Sequence, residues 1–184
     1  GLGRVSTPFV CVVQHDNAFV RGVDLRPVAR ALSDERVRYV GLMSTATADY
    51  QALCVSRHGV RVPGPVEIAG CPLQPLIYWY DKTHLARADY YRALFEATYE
   101  KAYWYLPDTE PPEEVVTLGR RGGLIIRPGD FIEETLGKKE LFDIRTFGFH
   151  EMHPTYGTYL YVDAMEPAFR HFDGQKFRTD QQRA

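Results

Sequence analysis

The chain is short of several things, and each shortage narrows the field. There are only three cysteines in 184 residues, Cys11, Cys54 and Cys71. None of their spacings matches a zinc or dithiol motif, so they read as reduced structural thiols, which leaves the compartment open. No run approaches the 18 or so apolar residues of a membrane-spanning helix, and no signal-peptide pattern is present. Net charge is only −2, without a Lys/Arg cluster or an acidic tail, which argues against a nucleic-acid partner. The chain contains no G-x-G-x-x-G, no P-loop, no G-x-S-x-G and no H-E-x-x-H, so the commonest nucleotide, hydrolase and zinc-protease signatures are missing. Arg120-Arg121-Gly122-Gly123 reads as a turn as readily as a phosphate contact. What is plentiful is aromatic residue: 12 Tyr and 10 Phe, 13% of the chain with Trp.

Periodicity gives an alternation of strands and helices over the first hundred residues. The apolar run Phe9–Val13 predicts a strand buried on both faces. Asp24 and Pro27 then open a short amphipathic helix running to about Leu32. Val37 to Leu42 is a second strand. Thr45 or Thr47 caps a helix that Gly59 terminates. Val60 to Gly70 is loop or a short edge strand. Pro75 to Tyr80, PLIYWY, reads as a third strong strand, followed by a long helix from about Thr83 to Tyr105 ended by Pro107. Gly119 to Gly123 precedes a short strand at 124–126. Asp130 to Glu133 has capping-box spacing for a helix that Gly137 stops. Pro154 and Gly157 argue against a helix around His150 and His153. A last strand covers Tyr159 to Val162, and Asp173-Gly174 suits a hairpin turn. The expectation is one domain over residues 1–184, an α/β three-layer sandwich on a mixed, mostly parallel sheet.

Four groups of residues carry chemistry. A strand buried on both faces must release its polar groups at its end, and the first strand ends in Gln14-His15-Asp16. That triplet is either a cation- or phosphate-associated site or a polar terminus capping its own turn. Glu133 and Glu134 sit at a helix start, where the dipole stabilises negative charge and a carboxylate can act as general base. Glu133 has a structural explanation as the third residue of the capping box; Glu134 has none. His150 and His153 either join a distant metal site from a loop or serve as structural histidines. Trp79, Tyr80 and Asp81 leave a strand for a helix; the aromatics either fill the core or offer stacking faces to a ligand, beside the Asp81 carboxylate.

In order and spacing, VQHD, PLIYWYDKTHLARADYYR, FIEET-LG and FGFHEMH–YGTYLYVD resemble GT-A-like glycosyltransferases, the nucleotide-diphospho-sugar transferase fold. The resemblance covers nearly the whole chain but only the later part of such a domain, so it implies an N-terminally incomplete unit lacking the nucleotide-binding βα units. It implies transfer of a sugar from a nucleotide-diphosphate donor to a carbohydrate or other hydroxyl acceptor, inverting and assisted by manganese. His15, Asp16, His150 and His153 would hold the cation, Glu134 would be the base beside Glu133, and Gln14, Trp79, Tyr80 and Asp81 would meet substrate. Gln14 stands where such a triplet carries an acid. Two rivals follow from the same residues: a non-catalytic carbohydrate-binding or interaction module, and a metal-dependent hydrolase using His15, Asp16, His150 and His153.

Overall fold

A computed structural model describes residues 4–100, 132–164 and 166–171. Its centre is a six-stranded sheet in the order β1-β6-β3-β7-β5-β4. The strands are β1 (Phe9–Val12), β3 (Tyr39–Leu42), β4 (Val66–Ile68), β5 (Cys71–Pro75), β6 (His84–Arg87) and β7 (Thr158–Tyr161). A separate two-stranded ribbon pairs β2 (Asn17–Phe19) with β8 (Phe169–His171). The helices are α1 (Arg26–Ala31), α2 (Tyr50–Leu53), α3 (Ala88–Glu100), α4 (Lys138–Phe147) and α5 (Phe149–Tyr156). The α/β class is therefore as expected. The sheet is mixed, but mostly antiparallel rather than mostly parallel: among the described residues only β3 and β7 pair in parallel.

The apolar alternation divides each strand between two layers. Tyr39, Ala86 and Leu160 face one cluster, with Trp79, Tyr91, Leu136, Leu141 and Ile144. Val40, Leu85 and Tyr159 face the other, with Val28, Leu32 and Phe169. β3 and β7 are buried along their whole length. β1 is not. Among the described residues it pairs only with β6, it is partly exposed, and Cys11 is exposed, so the expectation of a strand buried on both faces is corrected.

The largest departure concerns PLIYWY. Only Pro75 belongs to a strand, the last residue of β5. β5 ends beside Tyr159 at the start of β7, whereas β6 begins beside Val12 and Gly41 at the opposite rim. Residues 76–83 must cross the sheet between those rims, and they do so inside the first apolar cluster. Tyr78, Trp79 and Tyr80 are buried because this crossing is roofed, not because it is a strand. Its backbone is satisfied by side chains and a sheet end: the Leu76 amide donates to Thr158 O at 3.0 Å, the Ile77 amide to Tyr50 Oη at 3.0 Å, and Tyr39 Oη donates to Tyr80 O at 2.7 Å. The helix expected from Thr83 starts instead at Ala88, after β6 has paired with both β1 and β3.

Smaller departures have clear causes. Asp49, not Thr45 or Thr47, caps α2 by accepting from the Ala52 amide at 3.0 Å; Ser44 and Thr47 cap a preceding 3-10 turn. A wide helical turn, Cys54–His58, extends α2 to Gly59, which has φ 65° as a terminating glycine should. Gly137 does not stop a helix. It lies where a wide turn, Glu133–Gly137, runs straight into α4, with helical φ −62° and ψ −42°. A Cβ there would come within 2.5 Å of Tyr78 Cε1 and 2.6 Å of the Trp79 carbonyl oxygen, so glycine is required by close approach. His150 and His153 do lie on a helix, α5; Pro154 falls in its last turn before Gly157 at φ 58° and removes a single internal bond. The Asp130 capping box, the strand at 124–126, the Arg120 turn, the end of the long helix and the Asp173 hairpin lie outside the described residues. Among the described residues no helix is long and apolar enough to cross a membrane.

Candidate functional site

Although β1, β3 and β7 do not all touch, register makes them point the same way, because β6 lies antiparallel between β1 and β3. Their C-terminal ends therefore share one rim with the start of β6. Ligands of open α/β sheets bind outside the carboxyl ends of strands. Here that rim gathers the β1–β2 turn, Asp81-Lys82-Thr83 and, from the wide turn before α4, Glu133.

The turn is closed by the Asn17 amide donating to Gln14 O at 3.1 Å. Gln14 works as a bridge. Its Oε1 accepts from Asn17 Nδ2 at 3.2 Å while its amide donates to the Asp81 carboxylate. Asn17 also reaches Thr83 Oγ1 at 3.3 Å, fastening the turn to the start of β6. An acid at position 14 could not donate to Asp81 and would add a charge to an already acidic spot, which gives Gln14 a physical reason. Asp16 Oδ2 lies 2.9 Å from Nε2 of His171, and Asp16 Oδ1 is buried without a partner among the described residues. The Asp81 amide donates to Glu133 Oε2 at 2.8 Å.

Three carboxylates, Asp16, Asp81 and Glu133, thus converge, with Lys82 as the neighbouring cation. Burial is the main cause raising the Asp81 carboxyl above its ordinary value, opposed by the Gln14 hydrogen bond and Lys82, and reinforced by Asp16. Burial likewise raises Glu133, against the Asp81 amide and Lys82, with Asp81 and Glu134 adding to the rise. Half-buried acids of raised pKa at a strand-end cleft are the groups from which general bases are drawn.

The other expected residues are placed differently. His15 is exposed. Glu134 points outward, its side chain 56% exposed and paired with Lys138 one turn on. His150 is exposed on α5. His153 is buried, stacked on Phe149 at 4.7 Å, and its ring nitrogen Nε2 bonds Thr158 O at 2.9 Å. Burial lowers that imidazole below its ordinary value, so it is a neutral donor to Thr158 O, at the first residue of β7. Among the described residues no group of three or more His, Cys, Asp or Glu is arranged to hold a metal, so the set His15, Asp16, His150 and His153 is not assembled. Trp79 is fully buried between Tyr39, His84 and Tyr91 and has no free face for a sugar; Tyr80 is 8% exposed. Their part is to hold the crossing segment that presents Asp81.

Sequence reading passed over His171, Asn17 and Thr83. Asn17 adjoins the triplet and was within reach of it. His171 had no signal, since only the β2–β8 pairing Asn17–His171 brings it to Asp16. The chain matches no protein-family model, no curated protein and no solved structure.

Proposed function

We propose that this chain forms the metal- and acceptor-side part of a GT-A-like, inverting glycosyltransferase that moves a sugar from a nucleotide diphosphate to a hydroxyl. The observation that carries the reading is the meeting of Asp16, Asp81 and Glu133 on one rim, from three separate stretches that the family resemblance also singled out. A divalent cation fits Asp16 and His171: a buried carboxylate oxygen without a partner among the described residues and an adjacent imidazole nitrogen are donors that manganese accepts. Two protein ligands suit a cation whose remaining positions are filled by substrate phosphates, as is usual for hard cations at diphosphates. When bound, it would neutralise charge growing on the departing diphosphate.

The residues of the chain supply the rest. Glu133 is the base in this reading, replacing Glu134: it is the acid held against Asp81, while Glu134 is turned to Lys138. As the acceptor oxygen bonds to the sugar C1, the C1–phosphate oxygen bond breaks, the nucleoside diphosphate leaves and the hydroxyl proton passes to Glu133. Attack opposite the leaving group inverts C1. Gln14 fixes the Asp81 carboxylate, and the Asp81 amide fixes Glu133. The test is transfer by the full-length protein with manganese and a panel of nucleotide-diphosphate sugars. Glu133→Gln, which keeps an oxygen for the Asp81 amide, should lose about a hundredfold or more in kcat, in line with loss of a general base. Glu134→Gln should stay within a few-fold. The reverse order would move the base to Glu134, and turnover unaffected by either would sink the reading.

A further inference from the structure

Beside the carboxylate cluster, on the same rim, lies a cavity of about 390 Å³ that none of the residues discussed so far explains. It opens where β3 and β7 end. Met43, Tyr50 and Leu160 are buried and form its apolar floor, and Thr47, Asp49, Gln51 and Gln74 supply its polar groups, the Thr47 hydroxyl being taken up by the Ser44 backbone. β8 connects the two places. At its start the Ala168 amide donates to Met43 O at 2.7 Å and Phe169 bridges to Ser44; at its end His171 meets Asp16. β8 thus runs from Met43, which lines the cavity, to Asp16.

The chemistry of the lining is selective. Gln74 is 4% exposed, and its Nε2 is occupied by the carbonyls of Pro63 at 2.8 Å and Pro75 at 3.1 Å. Its Oε1 is left with one contact at 3.5 Å, from Gln51 Nε2. Asp49 uses Oδ1 to cap α2, and among the described residues nothing bonds its Oδ2. The available groups are therefore mainly acceptors, seeking a ligand that donates. No Lys, Arg or His lines the cavity, so it is unsuited to phosphate or carboxylate. The phenol of Tyr50 is anchored by the Ile77 amide, which holds its ring rigid as part of the apolar floor. The volume lies within the roughly 300–1,000 Å³ of small-molecule sites, which is room for one or two sugar rings.

We infer that this cavity binds a neutral, hydroxyl-rich molecule, a glycoside, and is the acceptor site of the transfer. The inference rests on the proposed function for the word acceptor, but the binding itself is independent of it. Asp49 and Gln74 accept from ring hydroxyls, Gln51 donates to one, and the apolar floor takes the C–H face of the ring.

Saturation-transfer NMR on the full-length protein with neutral methyl glucoside, galactoside, mannoside and xyloside tests this. At least one should bind, and methyl glucuronide should bind at least about tenfold more weakly than the best neutral glycoside. Gln51→Ala, at an exposed position, and Asp49→Asn, which keeps a capping oxygen, should each weaken binding about five- to tenfold while the fold is retained. Failure of every neutral glycoside to bind, equal binding of the glucuronide, or wild-type affinity in both variants would overturn the site. Manganese titration of the same samples reads the carboxylate cluster separately. Glycoside binding without a manganese site would remove the proposed function and leave this cavity assigned; manganese binding without any glycoside binding would do the opposite.

Discussion

Gly137→Ala separates two opposed effects at one atom. Position 137 has ordinary helical dihedrals. On helix propensity alone, alanine there should stabilise the protein by about 1 kcal/mol. The structure sets a clash against that gain. The new methyl would sit 2.5 Å from Tyr78 Cε1, 2.7 Å from Tyr78 Cζ and 2.6 Å from the Trp79 carbonyl oxygen, all below any tolerable approach. A flexible side chain tip could move aside, but Trp79 O belongs to the buried crossing segment, which is pinned from below by Tyr39 and Tyr50. Overpacking of this kind costs roughly 1–3 kcal/mol, and the backbone contact places it at the upper end. The net expectation is destabilisation by about 1–2 kcal/mol, or a fall in Tm of roughly 2–8 °C for a domain of this size. Chemical denaturation with matched m-values gives the figure directly. A variant as stable as the parent, or more so, would mean that the wide turn and the crossing segment are not in contact as described.

Glu140 is fully buried on α4, with Oε1 accepting from Thr158 and Oε2 without a partner among the described residues. Burial pushes its carboxyl up to about 8, with Asp143 adding to the rise. A folded-state value above the unfolded one means that stability is fully present below about pH 4.5 and is lost as pH rises towards 8; by linkage the loss is at most about 5 kcal/mol. Urea titrations from pH 5 to 8 should show that decline in the wild type, and a much flatter profile in Glu140→Gln. The Asp16–His171 pair is half exposed, so His171→Ala should change stability by less than about 1 kcal/mol while weakening manganese binding several-fold, checked by calorimetry beside thermal denaturation.

The polar end of β1 was legible because an apolar run that stops in Gln14-His15-Asp16 has to deliver those groups to a rim. Glu133 was legible as a candidate residue, but its setting was not. Its hydrogen bond to Asp81 spans 52 positions and depends on where residues 76–83 run. Those residues show why apolar content alone misleads. Leu76 to Tyr80 are as apolar as a strand because they are as buried as one, but beyond Leu76, whose amide meets Thr158 O, the backbone partners are the Tyr39 and Tyr50 side chains rather than a neighbouring ladder. β6 was hidden for a related reason: His84 looks polar, yet its imidazole is wholly buried in an aromatic box, where burial lowers it to about 4 and keeps it neutral. Gly137 has the residue type of a terminator and the environment of a contact, a distinction that only packing makes.

In the proposed function the rim built by Gln14, Asp16, Asp81, Glu133 and His171 receives a cation and a nucleotide diphosphate. Calorimetric titration of uridine and guanosine diphosphates into the full-length protein, with and without manganese, tests it most directly. Manganese-dependent binding of at least one of them is expected, reduced at least about tenfold by Asp16→Asn, a loss in keeping with a charge-assisted contact. Binding that needs no manganese and is indifferent to Asp16→Asn, or no binding of either nucleotide, would contradict it.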